Sequence, residues 1–427
     1  MNILILGATG FIGSAIATRM LADGHAVTGL GRNPSRARLQ QPGIRWIGAD
    51  LSRMTSAADW IEIIQGQDVV INCAGALQDG LSDDLAATQT NAMLALYDAA
   101  RQTSQQRIVQ ISARTAGAAS NLPFLATKRR ADEALAASGL PHVILRPALV
   151  LGRNAYGGSA LLRALASFPF CLPLIHVESP AETVALDDVA TAVSDAACGR
   201  LPSGTDVDLA SGQRLTLGDL VLLHRRWLGL PPAPVLALPA GVARPITWLA
   251  DIAGRLGWRS PLRSTAIAVM SEGVHTVAPS RPSPTAQLAS AAVFSSPAGI
   301  QDLWFARLYF LKPLMIGGLS LFWLLSGIIP LFGLERASDH FLPFMPPGAA
   351  VALTLMTCLI DMLLGATVLV RPFSRQALVG MLAVSLVYLA GACLLEPSLW
   401  LDPLGPLVKV LPSVLLTLAC LAILDER

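Results

Sequence analysis

Three glycines, Gly7, Gly10 and Gly13, are the first residues of this chain whose spacing suits a chemical task. Glycine at a tight turn lets the backbone approach a pyrophosphate closely, and a helix starting there offers free N–H groups and the positive end of its dipole. In MNILILGATGFIGSAIATRMLADG the apolar run before the glycines and the helical pattern after them supply the strand and helix that such a turn needs. A second feature follows in GRNPSR. An acidic side chain at the end of the second strand would bind a ribose 2′-hydroxyl, but Arg32 stands there, with Arg36 and Arg38 close behind. A guanidinium suits a 2′-phosphate, so the residues favour NADP(H) over NAD(H).

The elements that position these residues recur along the first half. Apolar runs at residues 3–6, 25–31, 44–47, 68–75 and 107–112 read as strands. Helical stretches at residues 11–23, 83–103 and from about residue 120 alternate with them. Short apolar runs alternating with helices predict an α/β doubly wound parallel sheet of the Rossmann type, its strands buried on both faces. Residues 150–275 are expected to form a smaller substrate-side region, with a helix over 216–229 and a candidate residue at His176. There is no basic segment ahead of the first strand, so no signal peptide is expected and the first domain should fold in the cytoplasm.

The motifs together resemble the extended or atypical branch of the short-chain dehydrogenase/reductase superfamily over roughly residues 1–275. GATGFIG (7–13) matches its GxxGxxG turn, ADL (49–51) its adenine-contacting Asp-Leu and NCAG (72–75) its NxAG. Asn91, HVILRPALVLG (142–152) and VALDDVATAV (184–193) match later elements of the family. The resemblance implies a cofactor site built from Gly7, Thr9, Gly10, Phe11, Ile12, Gly13, Arg32, Asp50, Leu51, Cys73, Ala74, Gly75 and Lys128. It further implies that Ser112 polarises a substrate oxygen and that Lys128 holds the nicotinamide ribose beside a tyrosine that moves the proton.

That tyrosine is absent. In SNLPFLATKRRADEAL (120–135) the position one turn before Lys128 is Phe124, which has no exchangeable proton. General acid catalysis needs a titratable group within hydrogen-bond reach. Three readings stay open. The protein binds a dinucleotide without carbonyl reduction, as the resemblance to an accessory subunit of respiratory complex I implies. Alternatively, Lys128, or a water held by Ser112, serves as acid or base. In the third, a tyrosine elsewhere reaches the site; of Tyr97, Tyr156, Tyr309 and Tyr388, the loop residue Tyr156 is the expected candidate.

Composition points to a second environment. Hydrophobic residues make up 53% of the 427 residues and charged residues 14%, against roughly 25% charged in soluble domains. A net charge of +2 gives no sign of a nucleic-acid surface, and the six cysteines form neither a CxxC pair nor a metal-like cluster. After a Ser/Pro/Ala-rich linker at 276–303, residues 304–427 carry four apolar stretches at 313–332, 349–370, 377–395 and 404–424. Each is about 20 residues, enough for a ~30 Å hydrocarbon core. An all-α four-helix transmembrane bundle is therefore expected, and it resembles DoxX-like membrane domains. Arg307, Lys312, Arg371 and Arg375 flank the inner ends. By the positive-inside rule both termini and the nucleotide domain then lie in the cytoplasm, at the inner face of a bacterial-type membrane. The expected partners are the bilayer and a lipophilic small molecule or a membrane protein complex; no metal is expected. Asp361 stands inside the second stretch, with Lys409 of the fourth as its candidate partner or else reaching toward the surface.

Overall fold

The computed structural model of the chain describes residues 1–75, 79–81, 83–103, 105–113, 122–213, 215–265, 267–268, 294–401, 407–408 and 410–425. It divides into two compact units, Met1–Asp251 with Ser260–Ala306, and Ile252–Arg259 with Arg307–Arg427.

The first unit is built on strands β1 (Asn2–Leu6), β2 (Ala26–Gly31), β3 (Arg45–Gly48), β4 (Val69–Asn72), β5 (Arg107–Ile111) and β6 (His142–Pro147). Shorter strands β7 (Leu149–Leu151), β8 (Leu172–Leu174) and β9 (Thr183–Ala185) precede β10 (Thr205–Leu209) and β11 (Val235–Ala237). Seven strands pair in parallel in the order β10-β6-β5-β4-β1-β2-β3. Order reverses between β1 and β4, where a doubly wound sheet binds ligands beyond its strand C-termini. The helices are α1 (Phe11–Ala22), α2 (Pro34–Gln40), α3 (Ala58–Ile64), α4 (Ala92–Gln102), α5 (Pro123–Ala137), α6 (Gly158–Ala166), α7 (Leu186–Ala197), α8 (Leu217–Trp227) and α9 (Ala240–Arg255).

Strand β1 shows why its sequence is continuously apolar. Ile3 and Ile5 join one core with Ile16 and Met20 of α1 and Val193 of α7. Leu4 and Leu6 join the opposite core with Trp60, Met93, Leu96 and Leu135. Both faces are covered, so period-two alternation disappears.

The helix expected over 83–103 opens with a π-helical turn, Ala86–Asn91, before α4. Asp79 and Asp84 explain the entry: their carboxylates accept from the backbone N–H groups of Leu85 and Ala87, both at 2.8 Å. The region after residue 150, expected on the substrate side, has its own core around Leu162, Leu172, Leu217, Leu220 and Val221. Thr216 and Asp219 form a capping box that fixes the start of α8. His224, 1% exposed, lies inside this region with Nδ1 2.8 Å from the Leu220 carbonyl oxygen, which therefore receives the ring N–H.

Burial lowers the pKa of His224 from 6.5 to about 4. The folded-state value is below the unfolded one, so the folded protein binds fewer protons in mild acid. The stability linked to the neutral ring is complete above about pH 6.5 and is lost as pH falls through about 4, a total of about 3 kcal/mol. Melting temperature measured in detergent from pH 7 to 4 should fall more steeply for the wild type than for His224→Asn. Asparagine keeps a donor toward Leu220 and has nothing to protonate.

The expected linker overlaps residues 276–293, which lie outside the described residues, but its end is packed. Phe294 meets the rings of His224 and Trp227 at 5.0 and 5.8 Å. Asp302 pairs with Arg153 and with buried Arg163 at 2.9 and 3.2 Å. The first long apolar helix accordingly begins at Ile300, earlier than the expected start at Pro313, and runs to Ile328 with Pro313 inside it. Pro313 is tolerated here within a longer helix.

In the second unit, segments Ile300–Asp339, Pro347–Thr367 and Arg371–Leu395 are long and apolar enough to cross a membrane. The helix Val410–Ala422 is shorter among the described residues, and residues 404–406 and 409 of its expected stretch lie outside them. Ile316, Leu319, Trp323, Leu378, Met381 and Cys420 form the bundle core, while Leu314, Leu321, Leu363, Val387, Leu394 and Leu415 face outward. Gly365 sits close to the backbone of Leu324, and Ser320 donates to the Gly365 carbonyl at 2.6 Å. Such small-residue approaches are how helices pack without a hydrophobic driving force. Asp361 is buried and accepts from Ser326 Oγ at 2.7 Å and Tyr388 OH at 2.9 Å. Lys409, its expected partner, lies outside the described residues. Lys312 Nζ and the Arg371 guanidinium both donate to the Leu424 carbonyl, at 3.0 and 3.1 Å, so these two cations meet at one end of the bundle.

Candidate functional site

The glycine turn connects β1 to α1. Gly7 has φ +70, which favours glycine, and an added Cβ would lie 3.0 Å from the Ala74 backbone. Gly13 is more restricted still: an added Cβ would collide with the Gly7 carbonyl oxygen. These two positions let α1 start directly against the ends of β1 and β4. Gly10 is the N-cap of α1 and contributes no side-chain cap, so the first-turn N–H groups are left for an anion. Thr9 and Gly10 are exposed at this mouth, while Phe11 and Gly13 turn inward and Ile12 is half-buried.

The neighbouring strand ends complete a cradle along one edge of the sheet. Thr9 lies beside Gly31 at the end of β2, and Arg32 follows, paired with Asp83 at 3.1 Å. Asp50 is half-buried beyond β3 and caps the short 3-10 turn Leu51–Arg53 by accepting from Ser52 N at 3.1 Å. Beyond β4, Asn72 Oδ1 accepts from Ala74 N at 3.0 Å, which fixes the turn through Cys73, Ala74 and Gly75. The structure thus brings the sequence-predicted cofactor residues to the C-terminal ends of adjacent parallel strands. Open helix N–H groups and turns that a Cβ would fill suit a dinucleotide pyrophosphate.

Lys128 reaches this edge from α5. Its Nζ donates to the Ile111 carbonyl at 3.1 Å and lies close to Gly75, where an added Cβ would be 3.4 Å away. Lys128 is 8% exposed. Burial holds its pKa below that of an ordinary lysine, and the charge of Asp132 acts in the opposite sense. Burial also raises the Cys73 thiol to about 12, with Lys128 opposing.

Ser112, at the end of β5, is buried, and its hydroxyl donates to Asp132 Oδ2 at 2.5 Å. Arg146 of β6 donates to the same oxygen at 2.7 Å and pairs with Asp206 at 2.8 Å. Burial pushes the Asp132 carboxyl above the usual carboxylate range, against the opposing effects of Ser112, Arg146 and Lys128. Ser112 and Lys128 are therefore brought together in one buried cluster, with the serine hydroxyl engaged by Asp132.

Sequence reasoning missed Asp132 and Arg146. The available signal was an acid one helical turn after Lys128, together with the arginine of LRP. Gln89 was missed as well. Its Oε1 would lie 3.9 Å from a Cβ at Gly75, on the Lys128 side, whereas Asn91 is exposed and lines a groove with Thr55 and Asp98. The π-helical turn alters which side chain faces inward, and no residue pattern announced it.

Phe124 is half-buried in the first turn of α5, four residues before Lys128. Tyr156 stacks on Phe11 at 6.2 Å, at the helix mouth. Tyr97 is buried, and among the described residues its hydroxyl has no hydrogen-bond partner. Burial raises its pKa, and the charge of Asp132 raises it further. Tyr388 bonds Asp361 in the second unit. His176, with φ +53, lines an open groove of about 770 Å³ with Val177, Glu178, Val235 and Leu238.

Sheet order, glycine turn and strand-end cradle are those of a Rossmann-type dinucleotide-binding fold. Residues 7–166 match the NAD(P)H-binding family and residues 320–418 the DoxX-like family, so the chain joins the two kinds of domain. An uncharacterized protein of Mycobacterium tuberculosis is 27% identical over 254 residues, 59% of this chain and 26% of that protein. The chain thus spans about a quarter of the length of the curated mycobacterial relatives it matches. Photosystem II assembly factor Ycf39 of Trieres chinensis is 28% identical over 147 residues, 34% of this chain and 45% of that protein. Among solved structures, UDP-glucose 4-epimerase of Thermotoga maritima with UDP-glucose shares 16% identity at TM-score 0.49, covering 74% of this chain and 100% of that one.

Proposed function

We propose that the chain is a membrane-anchored NADP(H)-dependent reductase of a lipophilic substrate, of the quinone, isoprenoid or lipid class. The observation that carries this reading is Lys128, a buried amine beside the Gly75 turn whose pKa is lowered by burial. A lysine shifted toward neutrality exchanges its proton far more readily than an exposed one. Held at this cradle, NADPH would supply the hydride for a substrate carbon. Lys128 then gives a proton to the adjoining oxygen and is reprotonated from solvent, while the α1 N-terminus holds the pyrophosphate. Residues 1–275 carry this chemistry and residues 304–427 keep it at the inner membrane, with the nucleotide domain and both termini in the cytoplasm. NADPH oxidation by the full-length protein in proteoliposomes, with a panel of quinones and enals, tests the proposal. Turnover with at least one acceptor supports it, and none with any acceptor removes it.

A second reading, a non-catalytic nucleotide-binding sensor or assembly factor for a membrane complex, is favoured by two observations. Phe124 replaces the proton donor, and Asp132 engages the Ser112 hydroxyl. The assembly role named for the Trieres relative agrees with it. NADPH binding without turnover is its signature.

Cofactor choice rests on Arg32. Charge-assisted hydrogen bonds contribute about 1.5–3 kcal/mol, so Arg32→Asp should lower the NADPH/NADH preference by about 10–100-fold in competitive binding. An unchanged ratio removes Arg32 from the 2′-phosphate site. Asp83 already pairs with this arginine, so the nucleotide must compete for it and the smaller end of the range is expected.

A further inference from the structure

The loop 152–157, between β7 and α6, runs against the first turn of α1. An added Cβ at Gly152 would lie 3.1 Å from Phe11 Cζ and 3.0 Å from Leu186 Cδ2. Farther along the loop, the Tyr156 ring stacks on Phe11 with centroids 6.2 Å apart and planes 25° apart. Phe11 is the first residue of α1, directly after the glycine turn. Ser159, which is buried, fixes the backbone of Tyr156. The Tyr156 N–H donates to Ser159 Oγ at 3.1 Å, and that hydroxyl donates to the Tyr156 carbonyl at 2.9 Å.

A segment far along the chain, residues 294–302, holds the other end of this loop, and all of these groups belong to the first unit. Asp302 stands in the first turn of the helix that begins at Ile300. Its Oδ2 accepts from Gly299 N at 2.8 Å, capping its own helix, and from Arg153 Nη2 at 2.9 Å. Its Oδ1 accepts from Arg163 Nη1 at 3.2 Å. Arg153 also donates to Ser296 Oγ at 3.2 Å and to the Pro297 carbonyl at 3.0 Å. Arg163, 2% exposed, returns to the loop by donating to the carbonyls of Gly152 and Arg153 at 3.3 and 3.2 Å. The two guanidiniums lie 5.6 and 4.6 Å from the Trp227 ring centroid. The Trp227 indole donates to the Ser296 carbonyl at 2.8 Å.

We infer that Tyr156 is a cofactor-positioning residue, held in place by Asp302 through Arg153 and Arg163. The Tyr156 ring braces Phe11, so that the first-turn N–H groups of α1 stay aimed at the pyrophosphate. The ring does this and the hydroxyl does not, so Tyr156 is no substitute for the absent proton donor. A buried ion pair is a poor source of stability, since well-packed apolar residues often serve as well or better. Its use here is geometric. One carboxylate meets two arginines and its own helix start, which admits a single register of residues 294–302 against the loop. The inference rests on dinucleotide capture by the β1–α1 turn.

Amide hydrogen exchange of the full-length protein in nanodiscs, without nucleotide, tests the hold on the loop. Peptides covering the loop should exchange several-fold faster in Arg153→Gln and in Asp302→Asn than in the wild type. Wild-type exchange across β4 and β5 in each variant shows that the sheet has kept its fold. NADPH titration of the same samples tests the ring. Loss of the aromatic pair should weaken binding by about 2–10-fold in Tyr156→Ala. Arg153→Gln should weaken it in the same direction, whereas Tyr156→Phe should bind as the wild type does. Wild-type loop exchange in both Arg153→Gln and Asp302→Asn overturns the inference, as does wild-type affinity in Tyr156→Ala. An equal loss in Tyr156→Phe and Tyr156→Ala also overturns it, because the hydroxyl would then be the active group. A wild type that binds no NADPH is a separate failure, which removes the dinucleotide reading and this inference with it.

Discussion

Lys128→Ala should lower NADPH-dependent reduction by about 10²–10⁴-fold, the usual contribution of a positioned proton donor. Lys128 is the donor proposed at the cradle: Phe124 has no proton to give, and the Ser112 hydroxyl is engaged by Asp132. The same amine is also placed to hold the ribose, so part of the loss should appear as weaker cofactor binding. Single-turnover rates at saturating NADPH separate the two, and the chemical step should retain most of the defect. Because burial lowers the amine's pKa from 10.5, an acid role makes the wild-type rate fall with rising pH earlier than an ordinary lysine would. Phe124→Tyr is the complement. It places a phenol one turn from Lys128 and should raise the rate if proton delivery limits turnover. Loss of NADPH affinity in Lys128→Ala with no chemical step to lose, and no gain in Phe124→Tyr, would favour the sensor reading.

The second large effect is expected at Gly13. Helix propensity alone predicts that alanine there stabilises α1 by about 1 kcal/mol. Geometry predicts the reverse, since the new Cβ collides with the Gly7 carbonyl oxygen, and backbone cannot move aside as a flexible side chain can. Overpacking of this kind costs about 1–3 kcal/mol and should win. Pushing α1 away from β1 also withdraws its N–H groups from the pyrophosphate. Misplacement on the order of 1 Å costs roughly 10²-fold where groups must be aligned, so NADPH affinity should fall by about that factor. Gly24→Ala is the control. Its φ is +82 and nothing lies within 4 Å of the added Cβ, so it costs only about 1–2 kcal/mol of left-handed strain and should leave binding intact.

The parallel sheet was legible in the sequence because strands buried on both faces leave uninterrupted apolar runs, as in Ile3–Leu6. The glycine turn was legible because close backbone approach tolerates no other residue. The bundle could be read because a bilayer demands about 20 apolar residues per crossing. Polar geometry was hidden. Whether Ser112 faces a substrate or Asp132 depends on a side-chain rotamer and on Arg146, which arrives from β6 far along the chain. Gln89 turns inward through a π-helical turn set by two aspartate caps, and residue spacing does not encode that register. The partner of Asp361 was sought among charges, yet the two described donors are the hydroxyls of Ser326 and Tyr388.

Dinucleotide capture by the β1–α1 turn underlies each of these expectations. Isothermal titration of the full-length protein in nanodiscs with NADPH, and separately with NADH, measures it directly. A saturable heat at one site per chain, with NADPH bound about 10–100-fold more tightly, is the predicted result. Absence of heat with both nucleotides, from protein whose melting transition shows it folded, would contradict the account.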